Sequence, residues 1–397
     1  MHFLTAARSM LCLSSLLLVV PCPLGQAAGG KLLEHCGFTA IYCFGDSTFD
    51  SGNALAEFPG GPMGRFPYGV TIHRATGRFS DGYTIIDRIA EAARVPPLNP
   101  YLKRDVEHSN GANFAVGGVG LLSKEARAKW HINLPFSNSS VDIQLKWFDR
   151  HLNQTYRNQT ARRERVESSL LVLGGAGNDY ANINLKFSSL PRVDQMKRIM
   201  PDLLAATEAY VKKLITEYGA RKVVVPGIFK VGCMVMSSGV HCDNNLSSVA
   251  ALHNRLLQQE LERLREEFPG VRIVYGDMWG ATEWLFDHFR AAGIHHPNGR
   301  CCGNSSIRCG MPGAPFCGNP SDYINWDDNH STDHAYRIMS DFLIPQFAAG
   351  LGCGANNDKG DSSSSSSSAL AAGLFGSLVP PFRIFTTLLL LFLLLSA

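Results

Sequence analysis

The chain has 397 residues, 45% hydrophobic and 18% charged, with a formal net charge of +3. That composition suits a folded globular protein with ample length for a buried core. A balance so close to neutral, with no basic patch interleaved by aromatics, argues against nucleic acid as a partner.

At the N-terminus, Arg8 precedes the apolar run Leu11–Val20, and small residues follow at Gly25-Gln26-Ala27-Ala28. A charged start, an apolar stretch too short to span a bilayer and a small-residue site predict a secretory signal over residues 1–28. A globular domain is expected over 29–355. Phe38–Phe44 reads as a strand that stops at Gly45. Gly45-Asp46-Ser47 then offers either an ordinary turn serine or a nucleophile held at a strand end. Pro59–Thr76, with Phe66, Tyr68, His73 and Arg74, reads as part of a site entrance or as simple packing. Gly111–Gly120 is glycine-rich and allows close backbone approach. It lacks the endings of a P-loop or a dinucleotide fingerprint, and a tight turn after a strand is the plainer reading.

Leu170–Leu173 reads as a second strand, followed by Gly174-Gly175-Ala176-Gly177-Asn178-Asp179-Tyr180. An Asn placed there serves a turn, or aims its amide N–H at a developing oxyanion. Apolar spacing predicts a helix from Asp202 to Tyr218, with Gly219 as its stop. Lys222–Val225 follows as a strand, Leu246–Phe268 as a helix and Val271–Tyr275 as another strand. Alternating strands and helices with nearly uniform apolar strands predict a parallel sheet covered by helices on both faces. In such a sheet, function gathers in the loops after the carboxyl ends of the strands. Ser47 and Asn178 both follow strands.

In Asn325–His334, Asp327 lies three residues before His330. Both fit one tight turn, on which the carboxylate bonds one ring nitrogen and leaves the other facing Ser47. A helical pattern runs from about Asp333 to Leu343. Past the domain come a Ser-rich linker at 356–370 and an apolar tail at 371–397. Small residues, a spacer and a terminal apolar tail resemble a GPI-attachment signal with its site in Ser366–Ala369, a membrane tether for the exported chain; a tail-embedded helix and a plain cleaved tail are the alternatives.

Of eleven cysteines, Cys12 and Cys22 leave with the signal. The odd number remaining implies an unpaired thiol or an intermolecular bridge. Cys43, inside an apolar strand, is the candidate for the unpaired one. Cys301, Cys302, Cys309 and Cys317 cluster in a loop-rich segment of the kind disulfides staple. Asn-x-Ser/Thr sequons predict glycosylation at Asn138, Asn153, Asn158, Asn245 and Asn304. A sixth, Asn329, is excluded because a glycan beside His330 would obstruct the site.

Taken in order, Phe44–Asn53, Asn113–Gly120, Gly174–Tyr180 and Trp326–His330 resemble the blocks of the GDSL, or SGNH, hydrolase superfamily in its plant-type lipase/esterase form. Val225-Pro226-Gly227, Gly232-Cys233, Leu264–Pro269 and Cys301-Cys302-Gly303 extend the resemblance to about residues 38–350. It implies an α/β fold, a three-layer α/β/α sandwich of flavodoxin-like type with a central parallel sheet. It further implies a serine hydrolase that cleaves carboxylic esters through an acyl-enzyme without metal or organic cofactor. Acyl lipids, small acyl esters and O-acetylated wall polysaccharides all fall within its range of substrates. With the export signals, it implies a location outside the cell, in the wall or on the outer face of the plasma membrane.

Carried over by position, Ser47 is the nucleophile, His330 the base and Asp327 its orienting carboxylate. Ser47, Gly118 and Asn178 form the oxyanion hole, with Gly117 an alternative to Gly118. Thr48 stands where the family expects leucine, and Ala176 where it expects glycine. Asp328-Asn329 replaces the usual Gly-Val pair, so Asp328 is a second candidate for orienting His330. The larger α/β-hydrolase family expects Gly-x-Ser-x-Gly, and Gly45-Asp46-Ser47-Thr48-Phe49 lacks the second glycine. A different class of function is a surface module that binds carbohydrate or lipid on the same fold without catalysis. Binding alone requires no Ser/His/Asn set.

Overall fold

The computed structural model describes residues 32–134, 137, 139–183, 189–233 and 242–353. All lie in one compact unit, Met1–Gly354. The expected signal segment, Ser-rich linker, apolar tail and Asn138 fall outside the described residues.

Five parallel strands form the central sheet: β1 (Ala40–Phe44), β2 (Gly111–Asn113), β3 (Ser169–Leu173), β4 (Lys222–Pro226) and β5 (Arg272–Gly276), in the order β2-β1-β3-β4-β5. Side chains alternate between two separate cores. Tyr42, Phe44, Leu171, Leu173, Val223 and Val225 face one; Ile41, Cys43, Leu170, Val172 and Val224 face the other. Burial on both faces is why these strands read as continuous apolar runs rather than alternating ones. The α/β/α layering expected from the sequence is therefore the architecture of the protein.

The helices divide between the faces. In chain order they are α1 (Asn53–Glu57), α2 (Ile85–Ala92), α3 (Lys124–Lys129), α4 (Val141–Thr155), α5 (Gln159–Glu167), α6 (Gly177–Ala181), α7 (Arg192–Thr216), α8 (Asn244–Glu267), α9 (Met278–His288) and α10 (Asp333–Leu351). The first core takes Leu145 and Phe148 of α4, Leu203 and Val211 of α7, and Leu257 and Leu261 of α8. The second takes Ile86 and Ile89 of α2, Leu285 of α9, and Tyr336, Leu343 and Phe347 of α10.

Three elements depart from the sequence reading. Helix α7 starts at Arg192, ten residues before the expected Asp202, and runs through Pro201. Proline removes one helical hydrogen bond, but Met196, Ile199 and Met200 before it are buried in the core and hold that turn in place. Strand β2 lies inside the glycine-rich stretch. Gly111 sits at φ 100°, and a Cβ there would overlap the Ile41 carbonyl. A second, two-stranded parallel ladder joins β6 (His296–Arg300) to β7 (Tyr323–Asn325) and carries the chain to residue 326.

Among the described residues, four disulfides join Cys36–Cys353, Cys233–Cys242, Cys301–Cys317 and Cys302–Cys309. Among the described cysteines Cys43 is left unpaired, and it is buried, as its place in β1 suggests. The Cys36–Cys353 bridge spans 317 residues and closes nearly the whole domain. Losing a native disulfide of this kind costs about 2–5 kcal/mol. The Cys36→Ser/Cys353→Ser pair should lose stability by that amount in urea unfolding, and an unchanged midpoint would mean the bridge does not form.

Candidate active site

The strand order places a topological switch point between β1 and β3, since the chain leaves β1 for one side of the sheet and later returns on the other. The turn after β1 is held rigidly. Gly45 has φ 145°, and a Cβ there would crowd the Gly174 carbonyl at 3.2 Å. Gln144 of α4 clamps its backbone, accepting from Gly45 N–H at 2.8 Å and donating to its carbonyl at 2.9 Å. Asp46 Oδ1 accepts the Thr48 N–H at 3.0 Å. The Asp50 carboxylate then takes four backbone N–H groups: Gly52 at 2.6 Å, Asn53 at 2.7 Å, Ala54 at 2.9 Å and Gly117 at 2.8 Å. Burial pushes the Asp50 pKa up to about 6, against the pull of those donors.

Asp50 thereby ties the Ser47 turn to the glycine-rich stretch after β2. Asn53 and Asn113 reinforce the tie. Asn53 Nδ2 donates to the Asn113 and Ala115 carbonyls at 2.7 and 2.8 Å, and Asn113 Nδ2 donates to the Phe49 carbonyl at 2.6 Å. The Gly117 N–H is spent on Asp50, which separates the two glycines that the sequence left as alternatives. Among the described residues, the N–H groups of Gly118 and Ser47 donate to no acceptor. Gly118 has φ 79°, open to glycine and strained for other residues. Gly117 has no room for a Cβ, which would enter the Phe79 ring. That ring lies against His330, with centroids 4.9 Å apart.

Asn178 is the second residue of α6, which follows β3, and its Nδ2 donates to the Val119 carbonyl at 2.8 Å. One amide hydrogen is thus fixed beside Gly118, and the second remains available. Next to it, Asp179 is fully buried and accepts the Leu121 N–H at 2.6 Å and the Leu122 N–H at 3.4 Å. Burial pushes its pKa up to about 7.

The turn before α10 supplies the remaining groups. His330 Nε2 lies 2.8 Å from Ser47 Oγ. His330 Nδ1 lies 2.8 and 2.9 Å from the two oxygens of Asp327. With the Nδ1 proton donated to Asp327, Nε2 is left to accept the Ser47 hydroxyl. Asp327 Oδ1 also receives the N–H groups of Asn329 and His330, each at 2.9 Å. Its Oδ2 accepts the Tyr68 hydroxyl at 2.8 Å. Burial works against the charge on Asp327, but the His330 ring, the Asn329 N–H and the Tyr68 hydroxyl outweigh it and hold its pKa below the ordinary carboxylate range. Asp328 points elsewhere and pairs with Arg300. Of the two acids that the sequence offered, Asp327 meets His330.

The arrangement can remove a proton from a serine hydroxyl and meet a negative oxygen with N–H donors. Among the described residues, no three His, Cys, Asp or Glu side chains are grouped to hold a metal ion. Sequence reasoning passed over Gln144, Asp50 and Phe79, and it read Tyr68 as part of an entrance or as simple packing. Tyr68 is buried, whereas Phe66, His73 and Arg74 of the same segment are exposed.

Residues 41–343 match the family of GDSL-like lipases/acylhydrolases. Acetylajmalan esterase 2 of Rauvolfia serpentina is 34% identical over 348 residues, 82% of this chain and 95% of that protein. Acetylajmalan esterase 1 of the same plant is 33% identical over 80% of this chain and 89% of that protein. A GDSL esterase/lipase of Arabidopsis thaliana is 33% identical over 78% of this chain and 86% of that protein. The chain belongs to the GDSL lipase/acylhydrolase family, and its class of activity is that of a carboxylic ester hydrolase.

Asp179 gives the site wall a pH-dependent stability. Its pKa is raised in the folded state, so its contribution is greatest below the unfolded carboxyl value of about 3.9 and is lost as pH rises through about 7. Urea unfolding between pH 4 and 8 should show the stability of wild type relative to Asp179→Asn falling with pH across that window. A pH-independent difference would contradict it.

Proposed function

We propose that this protein is an exported serine esterase in which Ser47, His330 and Asp327 act in sequence. The observation that carries the reading is the continuous hydrogen-bonded chain from Ser47 Oγ through His330 to Asp327. His330 Nε2 takes the Ser47 proton as the oxygen attacks the ester carbonyl. Asp327 keeps the imidazole in the required tautomer and stabilises its positive charge after the transfer. The N–H groups of Ser47 and Gly118 and the free amide hydrogen of Asn178 meet the developing oxyanion. His330 then protonates the leaving alcohol. Water attacks the acyl-enzyme, again with His330 as base, and the acid departs.

The substrate is an acyl lipid, a small acyl ester or an O-acetylated polysaccharide. Relatives named for acetylajmalan direct the first assays to small acetyl esters. Residues 1–28 support entry to the secretory pathway, and the disulfides suit its oxidising lumen. The sequons at Asn138, Asn153, Asn158, Asn245 and Asn304 would be modified there, and the apolar tail at 371–397 reads as a signal for a lipid tether.

A fluorophosphonate probe should label the wild type and leave Ser47→Ala unlabelled. A folded wild type that takes no label favours a binding module instead. With p-nitrophenyl acetate, Asn178→Ala should lose about 10²–10³ in kcat, the usual cost of one oxyanion donor. Wild-type turnover in that variant removes Asn178 from the scheme.

A further inference from the structure

The large exposed apolar side chains among the described residues are Phe58, Phe66, Met311 and Phe316. All four lie on two segments that pack together. Phe66 is 63% exposed and Phe316 45%, yet their rings meet edge to face with centroids 5.1 Å apart. Gly310, next to Met311, has no room for a Cβ against Pro62 and Tyr68. The Cys301–Cys317 and Cys302–Cys309 disulfides fix the second segment. Two exposed aromatic rings packed on each other differ from the singly scattered apolar residues that need no explanation.

The same disulfide-bound segment carries Asn304, in the sequon Asn304-Ser305-Ser306. Gly303 N–H donates to the Pro315 carbonyl at 2.7 Å, and Cys302 pairs with Phe316 across an isolated bridge. Asn304 is therefore two residues beyond Cys302, the residue that pairs with Phe316. Its side chain is exposed and its orientation is fixed, because Oδ1 accepts from Ser306 N–H at 2.9 Å and Ile307 N–H at 2.8 Å. Nδ2, the atom that glycosylation uses, donates to no described residue. Asn153 differs, with its Nδ2 bonded to Asp149 at 2.9 Å.

We propose that Asn304 carries an N-linked glycan whose first sugar lies over the Phe316–Phe66 pair, so that the occupant of the patch is the protein's own modification. The inference rests on the export reading given above. In the transfer, Nδ2 forms a bond to C1 of N-acetylglucosamine on a lipid-diphosphate oligosaccharide donor. The bond from C1 to the diphosphate oxygen breaks, the lipid diphosphate leaves with its electron pair, and Nδ2 gives up one proton. The apolar C–H face of the sugar ring then covers an aromatic face, whose negative quadrupole favours it.

The test uses the full chain secreted from a eukaryotic host. Glycopeptide mass spectrometry should find Asn304 occupied. Ser306→Ala, which removes the sequon but keeps the Asn304 Oδ1 bonds to the backbone N–H groups of residues 306 and 307, should lower Tm by about 2 °C and raise the fluorescence of a dye that binds apolar surface. In a Phe66→Ser/Phe316→Ser background, the same change should do neither, which is coupling in a double-mutant cycle. If a variant fails to fold, enzymatic removal of the glycan from folded wild type provides the same comparison. An unmodified Asn304 beside occupied Asn158 and Asn245 overturns the inference alone, as do equal glycan effects in both backgrounds. A chain with no occupied sequon overturns the export reading and this inference with it.

Discussion

The site depends on one buried carboxylate that takes no part in the proposed proton transfer. Asp50 accepts four backbone N–H groups from two stretches of chain more than sixty residues apart in sequence. Burying a carboxylate is costly, and only charge-assisted hydrogen bonds of this number offset it. The tie fixes the turn that presents Ser47, and it uses up the Gly117 N–H, which leaves Gly118 as the free donor beside it. Gln144 completes the frame by bonding both polar atoms of the Gly45 backbone, as a neighbouring strand would. The proposed nucleophile and the proposed oxyanion donors are thus placed by hydrogen bonds outside that set.

His330 arrives from 283 positions away, and a second buried network brings it. Asp81 accepts the Asp333 N–H at 2.8 Å, at the start of α10. Arg88 of α2 pairs with Asp333, and Ser80 Oγ donates to the Ser331 carbonyl at 3.1 Å. From the other side, the Trp326 carbonyl accepts the Cys302 N–H at 2.7 Å and the Trp326 N–H bonds the His330 carbonyl at 2.7 Å. The turn bearing Asp327 and His330 is held between α2 and the disulfide-bound segment. Small displacements there would lengthen the contact with Ser47, so the stability of this region and the alignment of the site are the same physical property.

Much of this was legible in the sequence, for local reasons. β1, β3, β4 and β5 announce themselves as short apolar runs ended by glycine or proline, and burial on both faces makes that pattern. Asp327 and His330 stand three apart, a spacing that one turn can satisfy by itself. β2 was not legible, because Gly-Ala-Asn has no strand preference and pairs only where β1 offers an edge. Gln144 was missed for a similar reason: a glutamine in a helix carries no mark of the strand end it will meet. The choices between Gly117 and Gly118, and between Asp327 and Asp328, needed partners remote in sequence. Asp50 decided the first, and Arg300 with Tyr68 decided the second.

The central claim is that Ser47 Oγ carries the acyl group between the two halves of the reaction. Rapid-quench mass spectrometry during the first turnovers of p-nitrophenyl acetate addresses it directly. The account predicts one acetyl group per chain, located on the peptide containing Ser47, appearing as fast as nitrophenol is released. Nitrophenol release with no acetylated intermediate, or with the acetyl group on another residue, would contradict it.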